Sequence, residues 1–171
     1  MANYKKISFD FHGVINTAPE FFAAVLRTLR RHKVRVYVVS GGPREYIEQY
    51  LAIHKIPYDE LWCIFDYFNA REKVEVAADG SFHIDDALWD AAKGEYCARE
   101  KIGLHIDDSE IYGKYFTTPY VRFDSKEQHF EIAFAVLDVD EGAAQVAKIL
   151  HTICRKESEL QVGNKITPSD K

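Results

Sequence analysis

The chain has 171 residues, is 47% hydrophobic and carries a formal net charge of −5. That supplies apolar material for one substantial core. The acidic balance argues against a generally basic nucleic-acid-binding surface while leaving a local basic groove open. No apolar run approaches the ~20 residues that span a bilayer. The first six residues, Met1 to Lys6, lead into a strand without a secretory apolar region. The expectation is a soluble, cytoplasmic protein with no membrane partner. Cys63, Cys97 and Cys154 are scattered without a CxxC spacing, which fits reduced, buried thiols better than a disulfide framework or a thiolate metal site.

Taken in order, residues 5–11 read as a strand that delivers Asp10 to its carboxyl end, with a turn marked by Gly13. Pro19 and Glu20 open a helix to about His32, with Phe22, Val25, Leu26 and Leu29 at helical spacing. Val34–Val39 is nearly continuous β-branched sequence, the pattern of a central parallel strand covered on both faces. Ser40-Gly41-Gly42-Pro43 breaks it and starts a helix to about His54. Glu60–Phe65 reads as a third strand, so a β-α-β-α-β alternation is complete by residue 65 and implies a parallel sheet.

Residues 73–77 and 81–84 alternate around Asp79-Gly80, a hairpin turn signal. A helix is expected from Ala87 to about Lys101, weakened by Gly94 by ~1 kcal/mol relative to alanine. Leu104–Ile106 is a short strand leading to Asp107-Asp108. Tyr120–Phe123 and Phe130–Leu137 suit strands, and Glu141 to about Arg155 suits an amphipathic helix. Residues 1–157 read as a single domain and 158–171 as a polar, loose tail.

Four stretches of this pattern together resemble the haloacid dehalogenase (HAD) superfamily of phosphohydrolases over about residues 5–125. Ile7–Val14 is similar to its first motif, a strand ending Asp-x-Asp-Gly-Val, with His12 in place of the second aspartate. Val36–Gly42 resembles the second motif, an apolar strand ending Ser-Gly-Gly. Lys93 corresponds to the third, a lysine at the start of the helix before the last catalytic strand. His105–Ser109 resembles the fourth, with its acidic pair at Asp107 and Asp108. The resemblance implies an α/β, Rossmann-like fold: a three-layer sandwich around a mainly parallel sheet, here with a small β-hairpin insert.

The resemblance also implies a chemistry. Asp10 would attack phosphorus and form an aspartyl-phosphate, splitting hydrolysis into two steps. Mg2+, a hard ion that takes oxygen ligands, would bind the Asp10 carboxylate, the His12 main-chain carbonyl and Asp107, with Asp108 in a direct or supporting role. Ser40 and the Gly41 N–H would hold phosphoryl oxygens, and Lys93 would add positive charge there and keep Asp10 ionised. Where the family pattern has an aspartate as acid and base, His12 can do both through an imidazole of pKa about 6.5. Three readings stay open: a working phosphatase using His12, an impaired site that turns over only good leaving groups, and a phosphate-binding or protein-interaction module on a retired enzyme fold.

Other candidates have plainer explanations. His105 reads as a packed core histidine, and Asp85, Asp86 and Asp90 as a capped, solvated helix start. Trp62, Phe65, Tyr67 and Phe68 read mostly as core, with 67–71 bordering the mouth of the site; Arg44 and Arg71 are candidates for contacting an anionic substrate. Only about 30 residues separate Asp10 from Ser40, and the 65–93 insert holds roughly one hairpin. No full cap domain fits in either place, which by resemblance favours bulky phosphorylated substrates or a partner acting as lid. The substrate class stays open among sugar phosphate, nucleotide, phosphoprotein and nucleic-acid end.

Overall fold

The computed structural model describes residues 6–124 and the backbone of 129–130. The strands are β1 (Lys6–Phe9), β2 (Arg35–Ser40), β3 (Glu60–Cys63), β4 (Glu75–Val76), β5 (Phe82–His83), β6 (Leu104–Asp107), β7 (Tyr120–Asp124) and β8 (His129–Phe130). The α-helices are α1 (Pro19–Arg31), α2 (Arg44–Ile53), α3 (Ile64–Asn69) and α4 (Asp86–Arg99). Five parallel strands lie in the order β3-β2-β1-β6-β7, and β8 pairs antiparallel with β7 at the edge. The architecture is α/β with a Rossmann-like, mainly parallel sheet.

Side-chain alternation along the strands builds the layers. Ile7, Phe9, Val36, Val38, Leu104 and Ile106 face one way and form a buried core with Phe22, Val25, Leu26 and Leu29 of α1 and Ile47 and Leu51 of α2. Tyr37 and Val39 face the other way and pack with Tyr96 and Cys97 of α4 and with Ile102. Helices therefore cover both faces, which is why the central strands read as continuous apolar runs. Cys63 and Cys97 are free and buried, as expected; Cys154 lies outside the described residues.

Three expectations need adjustment. The third strand ends at Cys63, and Ile64–Asn69 turns into α3 instead of continuing the strand to Phe65. The five-residue apolar run Leu61–Phe65 cannot by its periodicity tell a strand from the buried first turn of a helix. The hairpin pairs only Glu75–Val76 with Phe82–His83. It rests on a small core of its own, in which Phe82, Val74 and Trp89 pack on Ile64, Phe68, Ile84 and Ala92. Lys93 lies in the middle of α4, two turns in from its start. Asp85 caps that helix, its carboxylate accepting the N–H groups of Ala87 and Leu88, as the acidic cluster suggested. Beyond Phe130, the strand to Leu137, the helix over 141–155 and the 158–171 tail fall outside the described residues. Among the described residues, no helix is long and apolar enough to cross a membrane.

Candidate active site

The parallel strands β2, β1 and β6 are neighbours, with Phe9 level with Val38 on one side and Ile106 on the other. Their carboxyl ends therefore bring Ser40, Asp10 and Asp107 to one edge of the sheet, the edge at which open α/β sheets bind ligands. Asp10 continues the ladder for one residue through its N–H to the Ile106 carbonyl, 2.8 Å. Asp10 and Asp107 both point to the face covered by α4, which supplies Lys93.

Lys93 is 5% exposed, and its Nζ lies 2.8 Å from Oδ2 of Asp10 and 2.7 Å from Oδ2 of Asp107. One ammonium thus bridges two buried carboxylates. Asp10 also accepts the Phe11 N–H on Oδ1, 2.7 Å, and Asp107 accepts the Ser109 N–H on its own Oδ1, 3.0 Å. α4 approaches this closely because residue 94 is glycine: a Cβ there would collide with the Tyr115 carbonyl of the 3-10 turn Tyr112–Tyr115. What the sequence shows as a weak point in a helix is a contact surface.

Asp108 completes an acidic group. Asp10, Asp107 and Asp108 each offer an oxygen, and these oxygens lie within 4.8 Å of one another. An all-oxygen, all-carboxylate donor set fits a hard divalent cation such as Mg2+ and not a soft thiolate-seeking one. Gly13, at φ +77°, makes room for this: a Cβ there would run into the Asp108 carboxylate. Only glycine satisfies both the left-handed backbone and the close approach.

Charge states follow from burial and neighbours. Burial pushes the Asp10 carboxyl up, Lys93 opposes it and Asp107 repels it further, leaving it at about 6. Lys93 pulls Asp10 toward the ionised form, while desolvation and the second carboxylate outweigh one ammonium. Burial also pushes Asp107 up, but hydrogen bonding from His105 and the charge of Lys93 prevail and hold it well below the usual carboxylate range. Burial disfavours the charged form of Lys93, yet its two carboxylates raise its pKa above the ordinary lysine value.

His12 is exposed, its Nδ1 lies 3.1 Å from Ser40 Oγ, and its ring lies parallel to that of Tyr46 at 6.4 Å between centroids. Burial of part of the ring and the nearby Lys93 charge lower its pKa, against the pull of Asp108, which favours the neutral imidazole. Its ring sits against Gly42, where a Cβ would come within 2.9 Å of Cε1, while Trp89 lies over Gly41, where a Cβ would come within 2.7 Å of the indole. Both glycines of the Ser-Gly-Gly turn are therefore set by neighbouring rings.

Asp10, His12, Ser40, Gly41, Lys93, Asp107 and Asp108 thus share one edge of the sheet, linked through the contacts above. Arg44 and Arg71 do not join them. The Arg44 guanidinium binds Glu48 and the Leu61 carbonyl, and that of Arg71 binds the Tyr67 carbonyl and stacks on the Tyr67 ring. Two aromatic neighbours were not foreseen. Trp89 donates from Nε1 to the Tyr112 hydroxyl, 3.0 Å, and the Tyr112 ring lies 5.5 Å from Lys93 Nζ. His105 is buried as expected, but its Nε2 contacts Asp107 at 3.1 Å, which a purely packing histidine would not do. No protein-family model matches this chain, and no curated protein matches it.

Proposed function

We propose that this chain is a Mg2+-dependent phosphohydrolase of the HAD type, acting on phosphomonoesters through an aspartyl-phosphate on Asp10. The observation that carries this reading is the bridge of Asp10 and Asp107 by Lys93 at the ends of adjacent parallel strands, with Asp108 beside them. Two buried carboxylates and a buried lysine are expensive to desolvate and are seldom assembled at a sheet edge without a chemical task.

Asp10, Asp107 and Asp108, with the His12 carbonyl, would hold the ion, which supplies charge to offset the phosphoryl group and the carboxylates. Asp10 Oδ1 or Oδ2 attacks phosphorus, and the phosphorus–oxygen bond to the leaving group breaks. Protonated His12 gives its proton to the departing oxygen, and neutral His12 then takes one from the water that cleaves the acyl-phosphate. Ser40 and the Gly41 N–H bind phosphoryl oxygens, and Lys93 adds positive charge beside the reacting carboxylate. No full cap fits between Asp10 and Ser40 or in the 65–93 insert, so the phosphorylated substrate would meet a site flanked by Tyr46, Trp89 and Tyr112.

The test is hydrolysis of p-nitrophenyl phosphate by the wild type with and without Mg2+, beside Asp10→Asn. Activity confined to the wild type with Mg2+ supports the reading. Equal background in all three samples would assign the site to phosphate or partner binding instead.

A further inference from the structure

We infer that His105 is a positioning residue for Asp107, holding that carboxylate through its Nε2–H while Ser8 and Cys97 hold the far side of the ring. The positioning role rests on the reading of Asp107 as a ligand of the metal; the Nε2–H donor does not. β1 and β6 are in register with Ser8 opposite His105, and residues two apart on β6 put His105 and Asp107 on one face of the sheet. Cys97 stands one turn beyond Lys93 on α4, so the same helix face reaches both ends of the network.

One hydrogen bond here has a fixed direction. Asp107 Oδ2 accepts from Lys93 Nζ at 2.7 Å, and an ionised carboxylate can only accept. His105 Nε2, 3.1 Å from the same oxygen, must therefore carry a hydrogen. The other ring nitrogen is engaged too: Ser8 Oγ lies 2.7 Å from Nδ1, and the Cys97 thiol lies 3.6 Å from that same oxygen. A hydroxyl both donates and accepts, so Ser8 serves Nδ1 and Sγ together, and the line Cys97–Ser8–His105–Asp107 is continuous.

Ring orientation is fixed as well. Phe116 stacks on the imidazole at 4.7 Å and 10°, and His105 is fully buried. Asp107 is thereby held at three points: Lys93 and His105 on Oδ2 and the Ser109 N–H on Oδ1. A carboxylate has about four lone-pair positions, so these three donors leave room for about one further ligand. Hydrogen-bonded supports of this kind typically carry about 10–100-fold in metal affinity.

Two measurements test the inference. In the metal-free wild type, long-range 1H–15N correlation of the His105 ring should show a protonated Nε2 at pH 7; a bare Nε2 would overturn it. Mg2+ binding by titration calorimetry, at pH 7 on folded protein, should weaken about 10–100-fold in His105→Leu. It should be restored to within a few-fold of wild type in His105→Gln, whose amide can donate from the place of Nε2. Equal affinities in the two variants would reduce His105 to packing and overturn the positioning role. Should His105→Leu not fold, Ser8→Ala replaces it: with the ring unsupported, this variant should bind Mg2+ more weakly than wild type, and unchanged affinity would overturn the role. A wild type that binds no Mg2+ would overturn the metal reading and the positioning role with it, while the state of Nε2 still decides the donor to Asp107.

Discussion

Asp10 and Asp107 share one ammonium group, Oδ2 of each lying within 2.8 Å of Lys93 Nζ, yet their acidities move in opposite directions. Asp10, raised from 3.8 to about 6, binds its proton more tightly in the folded protein than in the unfolded chain. Its contribution to stability is present below pH 3.8 and lost as pH rises through 6, a loss of about 3 kcal/mol for a shift of this order. Asp10→Asn, which mimics the protonated form, should therefore stabilise the metal-free protein at pH 8 and leave it little changed near pH 4. Asp107, shifted down, contributes stability above the unfolded-state value that is lost as pH falls. Asp107→Asn should destabilise at pH 8. Urea unfolding in the presence of a chelator reads both signs, and two variants moving together would contradict the assignment.

Removing Lys93 leaves two buried carboxylates facing each other. Lys93→Met should cost about 3–5 kcal/mol of stability at pH 8, the usual penalty for breaking a buried ion pair from one side. Saturating Mg2+ should recover part of that loss, because the ion replaces the missing positive charge. Thermal unfolding with and without Mg2+ makes the comparison; a variant whose loss is unchanged by the ion would place the metal elsewhere.

Gly94 offers a test in which two rules disagree on sign. Helix propensity alone has Gly94→Ala stabilising α4 by ~1 kcal/mol. The Tyr115 carbonyl occupies the space a Cβ needs, and overpacking of this kind typically costs about 1–3 kcal/mol. The expected outcome is net destabilisation in denaturant unfolding, since the obstructing atom is backbone and cannot swing aside. A gain in stability would show that α4 stands further from the 3-10 turn than the structure has it.

How much of this was legible beforehand follows from where each signal lies. Strand ends, the Ser-Gly-Gly break and the Asp107-Asp108 pair are local in sequence, and they marked the edge where the carboxylates meet. Long-range relations were not legible. Gly94 read as a defect because nothing local announces that Tyr115 will lie against it. His105 read as core because its partner Ser8 is 97 positions away. The signals were available in retrospect: a polar Ser8 in an otherwise apolar strand interior, and His105 two residues before Asp107, hence on its face. α3 was missed because the apolar run Leu61–Phe65 spans a strand end and a helix start without punctuation.

His12 carries the acid–base proposal, and its lowered pKa gives that proposal a sign. Protonation of a leaving group needs the imidazolium, so turnover of alkyl phosphates should fall as pH rises through that lowered pKa. Hydrolysis of the acyl-phosphate needs the neutral ring, so p-nitrophenyl phosphate, which leaves unaided, should keep its rate on the alkaline side. In the first turnover, His12→Ala should slow alkyl phosphates by about 10²–10⁴-fold and aryl phosphates much less. Single-turnover release of the alcohol or phenol from both substrates across pH 5 to 8 decides it, and equal losses on both would remove His12 from the proton transfer to the leaving group.

The covalent step on Asp10 can be trapped. His12→Ala, lacking the base for the second half-reaction, is incubated with Mg2+ and p-nitrophenyl phosphate, quenched, reduced with borohydride and analysed by peptide mass spectrometry. The expected result is homoserine at position 10, the reduction product of an aspartyl-phosphate, dependent on Mg2+. Hydrolysis that proceeds with Asp10 unmodified, or homoserine at any other aspartate, would contradict the account.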